Sequence, residues 1–280
     1  MPLLHAVVDY PFMRHALLGG LLIAVLCSVL SFFVVQRGLS FAGAGIAHSA
    51  FAGLALGVVL NTEPILTGIL FSAAAGILIA SVSRKGRLEL DVAIGIAFST
   101  SMALGVMMIS NTRGRYFGEL FSYLFGNILA VSATDLWMMA GLTVAAGGFL
   151  VLFFRELLLV SMNEDIARAQ GLPTGPLHYG LLLALALTVV LSVKLVGVVM
   201  ASALLVIPGA TGELLSTNYR GVIVASLVTA LSSVLLGFAL SYNTSWPAGA
   251  TIVVVSATAF FLALAFSPHR GLITRQLLRR

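Results

Sequence analysis

The stretch Phe41-Ala-Gly-Ala-Gly-Ile-Ala-His-Ser-Ala-Phe-Ala-Gly-Leu-Ala-Leu-Gly-Val-Val-Leu60 is long enough to cross a lipid bilayer as one helix. Its single ionisable side chain, His48, lies near the middle. An ionisable group at that depth is costly, so His48 is a candidate functional residue. Small residues recur beside it at four-residue spacing, a pattern that lets helices approach closely in lipid: Gly45, Ser49, Gly53 and Gly57. We therefore expect His48 to face other helices rather than lipid.

The rest of the chain repeats this apolar character. Of its 280 residues, 60% are hydrophobic and only 9% are charged, whereas soluble domains carry about 25% charged residues. The apolar runs are continuous rather than alternating, which favours helices over a β-barrel. We predict an all-α integral membrane protein, a polytopic bundle of about nine transmembrane helices. The runs are Phe12–Val35, Phe41–Leu60, Pro64–Val82, Val92–Ser110, Thr134–Phe154, Tyr179–Val193, Val196–Leu215, Val222–Ser241 and Trp246–Phe266.

The sixth and seventh runs leave the number of spans open. Only Lys194 and Gly197 mark a turn between them, so one long tilted helix with a re-entrant piece would give eight spans. Charge favours nine, because eleven of the fifteen basic residues are then cytoplasmic, as the positive-inside rule expects. This arrangement puts the N-terminus outside and the C-terminus inside. It also places the long connection Asn111–Ala133 outside, where its apolar residues predict a short helix that lies at the outer surface or dips into the bundle.

A second short helix is predicted on the cytoplasmic side, within Ser161–Pro173 of the connection Arg155–His178. Asn163 is a good N-cap, and the two acidic residues after it suit the positive end of the helix dipole. Gly171 can take the left-handed position that ends a helix. Such a helix has little of its own to pack on, so it either lies on the membrane surface or docks into a cytoplasmic partner.

Two readings of the intramembrane residues remain open. His48 is either a structural histidine bonded to a neighbouring helix or a ligand or gate on a polar pathway. Because neutral imidazole is the commonest protein ligand for transition metals, the sharper version is a path for a divalent metal ion. Pro208 and Gly209 are predicted to interrupt the seventh run, as a packing kink or as a hinge that lines the pathway.

Five segments together resemble one known family, the transmembrane permease subunits of zinc/manganese-type metal ABC importers. The similarity covers nearly the whole chain, and the segments occur in the family's order and spacing. They are Arg37-Gly-Leu-Ser-Phe-Ala-Gly43 with Ile46-Ala-His48, Asp91–Phe98, Leu124–Val131, Asn163–Gly171 and Val196–Thr211. The segment Asn163–Gly171 resembles the helix that couples such permeases to their ATPase.

The resemblance implies a single permease domain over residues 1–280 in the bacterial cytoplasmic (inner) membrane, surrounded by lipid. Two copies would form a homodimer with the pathway between them. A separate cytoplasmic ABC ATPase would use the ATP, and an extracytoplasmic metal-binding protein would deliver zinc, manganese or iron. No cofactor would be held permanently. The implied pathway residues are His48, as a transient metal ligand, Ala44, Ser49 and Pro208; those for ATPase coupling are Asn163, Glu164, Asp165, Ala167 and Gly171.

Three features of the sequence limit this interpretation. The chain has no Gly-x-x-x-x-Gly-Lys-Ser/Thr phosphate loop, so we predict a transport subunit and not an enzyme. Its basic residues lie at span ends, which argues against nucleic-acid binding. The family usually has an aspartate four residues before the histidine, where this chain has Ala44. The alternatives are therefore a permease for a non-metal or chelated-metal substrate, an ATP-independent carrier or channel with His48 as relay, and a membrane scaffold.

Overall fold

The computed structural model describes residues 9–84, 89–110, 118, 122–124, 126 and 131–267. Its helices, numbered in chain order, are α1 Pro11–Gln36, α2 Ser40–Val59, α3 Pro64–Arg84, α4 Leu90–Ser110, α5 Ala133–Leu152, α6 Phe154–Met162, α7 Glu164–Ala169, α8 Thr174–Val196, α9 Val198–Leu215, α10 Tyr219–Thr244 and α11 Ala248–Phe266. These residues contain no strand. Most of the connection Asn111–Ala133, the basic cluster Lys85–Arg87 and the tail Arg270–Arg280 lie outside the described residues.

Eight helices in the described part of the chain are long and apolar enough to cross a membrane: α1 to α5, α8, α10 and α11. This confirms the predicted all-α, multi-pass membrane fold. The remaining predicted span, the seventh run Val196–Leu215, corresponds to α9, whose 18 residues extend about 27 Å at 1.5 Å per residue and which is not among the eight. Gly197, with φ 87° and ψ 160°, separates α8 from α9, so Tyr179–Leu215 is not one long helix. A positive φ of this kind suits glycine because it has no Cβ.

The most enclosed helices, α1, α2 and α8, form the centre of the bundle. Helix α2 packs against α3, α4 and α9, and α9 also packs against α1, α10 and α11. Helices α4, α5 and α11 lie at the edge of the bundle and expose large apolar side chains such as Trp137 and Phe261. In a membrane these side chains face lipid, so their exposure agrees with the predicted environment.

The small-residue stripe of α2 brings two neighbouring helices into backbone contact. A methyl group added at Gly53 would lie 2.6 Å from Cβ of Phe71 on α3, and one at Gly45 would lie 2.8 Å from Cγ2 of Ile94 on α4. Contacts this close leave no room for a side chain. The predicted close approach of α2 to its neighbours is thus confirmed, and α2 is fixed against α3 and α4.

Pro208 does not break the seventh span into two helices, and its predicted role as a kink or hinge stays a prediction. Helix α9 runs from Val198 to Leu215 with Pro208 buried inside it. The next residue, Gly209, packs so closely on α1 that an added methyl group would lie 2.5 Å from the carbonyl oxygen of Ser31. Prolines are tolerated in membrane helices where neighbouring helices compensate the lost hydrogen bond. Close packing against α1 is the physical reason that α9 continues past the proline.

The predicted cytoplasmic connection Arg155–His178 is mostly helical. After a one-residue break at Phe153, α6 continues from α5, and α8 begins at Thr174, ahead of His178. Hydropathy does not reveal α6 because it is amphipathic and contains two charged residues among nine. Only short segments therefore separate α6, α7 and α8.

Candidate transport pathway and cytoplasmic docking helix

One narrow strip of α2, from its first turn to its middle, escapes burial. Between residues 41 and 55, only Phe41, Ala44 and His48 are not buried. Their spacing of three and four residues places them on one face of the helix. His48 is the ninth of the 20 residues of α2, so its side chain lies near the midpoint of the span. We call Phe41, Ala44 and His48 the α2 strip.

The α2 strip lies between two neighbouring helices. On one side, Gly45 meets Ile94 of α4; on the other, a methyl group added at Gly43 would lie 3.5 Å from Cδ1 of Leu205 on α9. The helix face that carries His48 is thus left open between α4 and α9. In a membrane protein, polar residues on such a face mark a route for ions or an interface with another subunit.

The His48 imidazole has an aromatic neighbour and an unused nitrogen. Its ring meets Phe98 of α4 edge to face, with centroids 4.2 Å apart and an interplanar angle of 76°. Nδ1 of His48 is buried and makes no hydrogen bond to any residue that the structure describes. The structural reading expects a bond from a neighbouring helix, and Nδ1 makes none to a described residue. An imidazole nitrogen without a protein partner can bind a passing metal ion.

Ser49 has a different environment from His48, although the two are adjacent in sequence. Its side chain is fully buried. Oγ donates to the carbonyl oxygen of Gly45 at 2.9 Å and shares a hydrogen bond with Oγ of Ser101 on α4, also at 2.9 Å. These bonds join α2 to α4 in the bundle interior. The pathway roles of Ser49 and of the buried Pro208 stay predictions.

A single copy of the chain holds no complete metal site within its described residues. No group of three or more His, Cys, Asp or Glu side chains there is placed to hold a metal ion. On the α2 strip, His48 is the one side chain with a metal-binding atom. A transport route needs sites that bind weakly enough to release the ion, and one imidazole per copy meets that need better than a closed set of ligands.

The predicted capped helix is α7, and both of its ends have the expected local structure. Oδ1 of Asn163 accepts a hydrogen bond from the backbone N–H of Ile166 at 3.0 Å. Gly171 has φ 79°. The Leu172 N–H donates to the carbonyl oxygen of Ala167 at 3.1 Å, which completes a Schellman motif. The capping residues Asn163 and Gly171 therefore predicted both ends of α7.

Helix α7 is seated on the protein rather than isolated. Ala167 is fully buried, and α7 packs against α6 and α8. Met162 and Ile166 are exposed apolar side chains on either side of Asn163, with exposed fractions of 76% and 50%. The exposed surface of this segment combines apolar and polar side chains, which suits docking of another protein.

The predicted coupling residues fall into three environments. Asn163, Asp165 and Gly171 are exposed, Glu164 is half-buried, and Ala167 is buried. Of the five, Ala167 can act only by seating the helix. Sequence reasoning did not find Met162 and Ile166, because two exposed apolar residues in a mostly apolar chain carry no distinct signal. It also did not single out Phe98, since helix packing rather than sequence distance brings it to His48.

This architecture, a multi-pass helical bundle with an ordered helix α7 beside the spans, is that of a membrane transport permease. Residues 9–267 match the family described as "ABC 3 transport family". The chain belongs to that family and is a permease of a bacterial membrane transporter.

Relatives and one solved structure are similar to this chain over nearly its full length. The "Manganese transport system membrane protein MntC" of Halalkalibacterium halodurans is 33% identical over 267 residues, which cover 95% of this chain and 91% of that protein. The "Probable iron transport system membrane protein" of Haemophilus influenzae is 33% identical over 266 residues, 94% of this chain and 96% of that one. The structure "PsaBC from Streptococcus pneumoniae in complex with Fab" superposes with a TM-score of 0.87 at 29% identity, covering 100% of this chain and 99% of that chain.

Proposed function

We propose that this chain is the permease subunit of an ABC importer that carries a transition-metal ion past His48. The observation that carries the proposal is the half-exposed imidazole at the midpoint of α2, whose Nδ1 has no hydrogen-bond partner among the described residues. Burying such a group without a partner is costly, and a structural role does not explain it. A metal ion that passes along the open face of α2 would bind the half-buried imidazole once a small movement uncovers a ring nitrogen.

The class of ion follows from the ligand and from the relatives. Imidazole suits zinc, iron and other borderline ions, whereas carboxylate oxygen suits manganese. The relatives named above carry manganese and iron in their names. Ala44 lies on the same strip as His48 and has no ligand atom. We propose zinc, manganese or iron as the substrate, with the missing carboxylate shifting preference away from manganese.

A second copy of the chain would complete the pathway. The α2 strip is open in one copy, and a two-fold arrangement would place a second strip against it. Two His48 side chains would then face the same route. The outward end would receive the ion from an extracytoplasmic metal-binding protein, which the ABC importer class requires for import.

A separate cytoplasmic ATPase would provide the energy. The exposed surface formed by α7 and the end of α6, with Met162, Asp165 and Ile166, is the proposed docking site. Binding and hydrolysis of ATP by that subunit would move α7, and the two permeases would alternate between outward-open and inward-open arrangements. This chain would itself hydrolyse no ATP.

Reconstitution tests this function. The permease and an ATPase encoded beside it are co-purified and placed in lipid vesicles with the delivery protein. We expect uptake of radioactive zinc, manganese or iron that requires ATP and the ATPase subunit. The matched control is the same vesicles with permease alone and an ion gradient.

Uptake by the permease alone, driven by the gradient, would instead identify an ATP-independent carrier. Failure of the two proteins to form a complex, together with no ATP-dependent uptake of any of the three ions, would overturn the proposal.

A further inference from the structure

Helix α7 is joined to the turn before α2 by an ion pair. Arg37 follows the last residue of α1, and its Nη2 lies 4.0 Å from Oε2 of Glu164, the first residue of α7. Only 10% of the Arg37 side chain is exposed, against 40% for Glu164. The other carboxylate oxygen of Glu164 accepts a hydrogen bond from Arg168 at 3.0 Å within α7. Glu164 therefore lies between a buried arginine of the bundle and an exposed arginine of its own helix.

The turn that holds Arg37 is short and well bonded. The Arg37 N–H donates to the carbonyl oxygen of Phe33 at 3.1 Å, and the Leu39 N–H donates to that of Val34 at 2.8 Å. Gly38 has φ 64°, which lets the chain reverse in three residues. Leu39 is buried. A displacement of Arg37 is therefore passed directly to the start of α2 rather than lost in a loose loop.

Helix α2 carries that displacement to His48. Eight residues separate Ser40 from His48, about 12 Å along the helix. Helix α2 is continuous through this stretch and holds no proline, so a displacement at its start would be carried along the helix. The side of α2 that is not buried in this part of the helix is the α2 strip. Because α2 packs tightly on α4, a movement at the Arg37 turn would shift the α2 strip together with α4 relative to α9.

We propose that Arg37 is a positioning residue that transmits movement of α7 to the α2 strip through Glu164. This proposal rests on the proposed function, because it assumes that an ATPase moves α7. A guanidinium that is largely buried interacts more strongly with a carboxylate than an exposed one does, because less water screens it. The exposed pair of Glu164 and Arg168 is screened and lies within one helix, so it cannot perform this transmission.

The test measures metal ions imported per ATP hydrolysed, in vesicles that contain the whole complex. Arg37→Gln and Glu164→Gln remove the pair with little change in size, and Arg37→Lys keeps the positive charge. Arg168→Gln is the matched control, because it removes the other arginine near Glu164. The ratio separates transmission from folding, since a loss of folded complex lowers both transport and hydrolysis.

We expect Arg37→Gln and Glu164→Gln to lower the ratio of ions to ATP about tenfold, within the usual range for coupling between two sites. The double variant should be close to the worse single variant, because both substitutions disrupt the same Arg37–Glu164 pair. Arg37→Lys should keep most of the wild-type ratio, and Arg168→Gln should keep all of it.

If Glu164→Gln imports as many metal ions per ATP as the wild type, the inference is overturned. It is also overturned if the losses of the two single variants add in the double variant. Glu164 is partly exposed on a surface helix, so its variant decides the question even if Arg37→Gln does not fold. Absence of ATP-dependent uptake by the wild-type complex would instead overturn the proposed function.

Discussion

The imidazole of His48 and the phenyl ring of Phe98 meet edge to face, with centroids 4.2 Å apart. Phe98 thereby covers part of the only ionisable side chain near the middle of α2. Its own exposed fraction is 36%, so the ring lies at the border between the bundle and the open face of α2. Phe98 is therefore placed to limit access to His48.

Phe98→Ala should make His48 react faster with a histidine-specific acylating reagent. An aromatic pair of this geometry contributes about 0.5–1.5 kcal/mol beyond area burial, so we expect an increase of roughly two- to tenfold. The rate is measured by mass spectrometry of the peptide that contains His48. Thr100→Ala, an exposed position on the same helix, is the control. Equal rates in wild type and Phe98→Ala would show that the ring does not cover the imidazole.

Ala44→Asp should shift ion selectivity towards manganese. Residues 44 and 48 lie on one helix face, so the new carboxylate would add a hard oxygen ligand beside the imidazole. We expect the ratio of manganese to zinc uptake to rise about tenfold, a change of about 1.4 kcal/mol. Ala44→Asn supplies similar size without the charge and should leave the ratio near wild type. An unchanged ratio in Ala44→Asp would mean that position 44 does not contact the ion.

Asn163→Ala should weaken binding of the ATPase subunit. The substitution removes the N-cap bond to the Ile166 N–H, which costs about 1 kcal/mol of helix stability and lowers affinity roughly fivefold. Binding of the purified ATPase to detergent-solubilised permease measures this. Asn163→Ser restores a capping oxygen and should restore most of the affinity. If the Asn163→Ser permease binds the ATPase as weakly as the Asn163→Ala permease does, Asn163 acts by direct contact rather than as a cap.

Gly53→Ala should destabilise the bundle by about 1–3 kcal/mol, because its methyl group would collide with the backbone and Cβ of α3. Gly95→Ala is the matched control: a methyl group there meets nothing within 4 Å. The single cysteine, Cys27, is fully buried, so a thiol-reactive dye reports unfolding on heating. Equal midpoint temperatures of unfolding for the two variants would mean that α2 and α3 are not in backbone contact.

Features set by local sequence were predictable. The membrane spans follow from hydropathy within a few residues, and the ends of α7 follow from Asn163 and Gly171, because capping involves only neighbouring backbone groups. The small-residue stripe of α2 likewise predicted close helix contacts. Each of these signals acts over one helix length or less.

Features set by packing between distant segments were not predictable. Nothing in the sequence places Phe98 against His48 or Glu164 beside Arg37, since apolar helices in lipid have no single favoured neighbour. The same limit applies to Pro208, which lies inside a continuous α9 beside α1. Position in the bundle, rather than residue type, decides these cases.

Whether a metal ion passes His48 is tested most directly by metal uptake of the His48→Ala complex. Uptake is expressed per complex and compared with the ATPase rate. His15→Ala, which removes another partly buried histidine from the first turns of α1, is the matched control. We predict that His48→Ala lowers ATP-dependent uptake at least roughly tenfold while ATP hydrolysis and complex assembly persist, and that His15→Ala transports like wild type. Wild-type uptake by the His48→Ala complex would contradict the account.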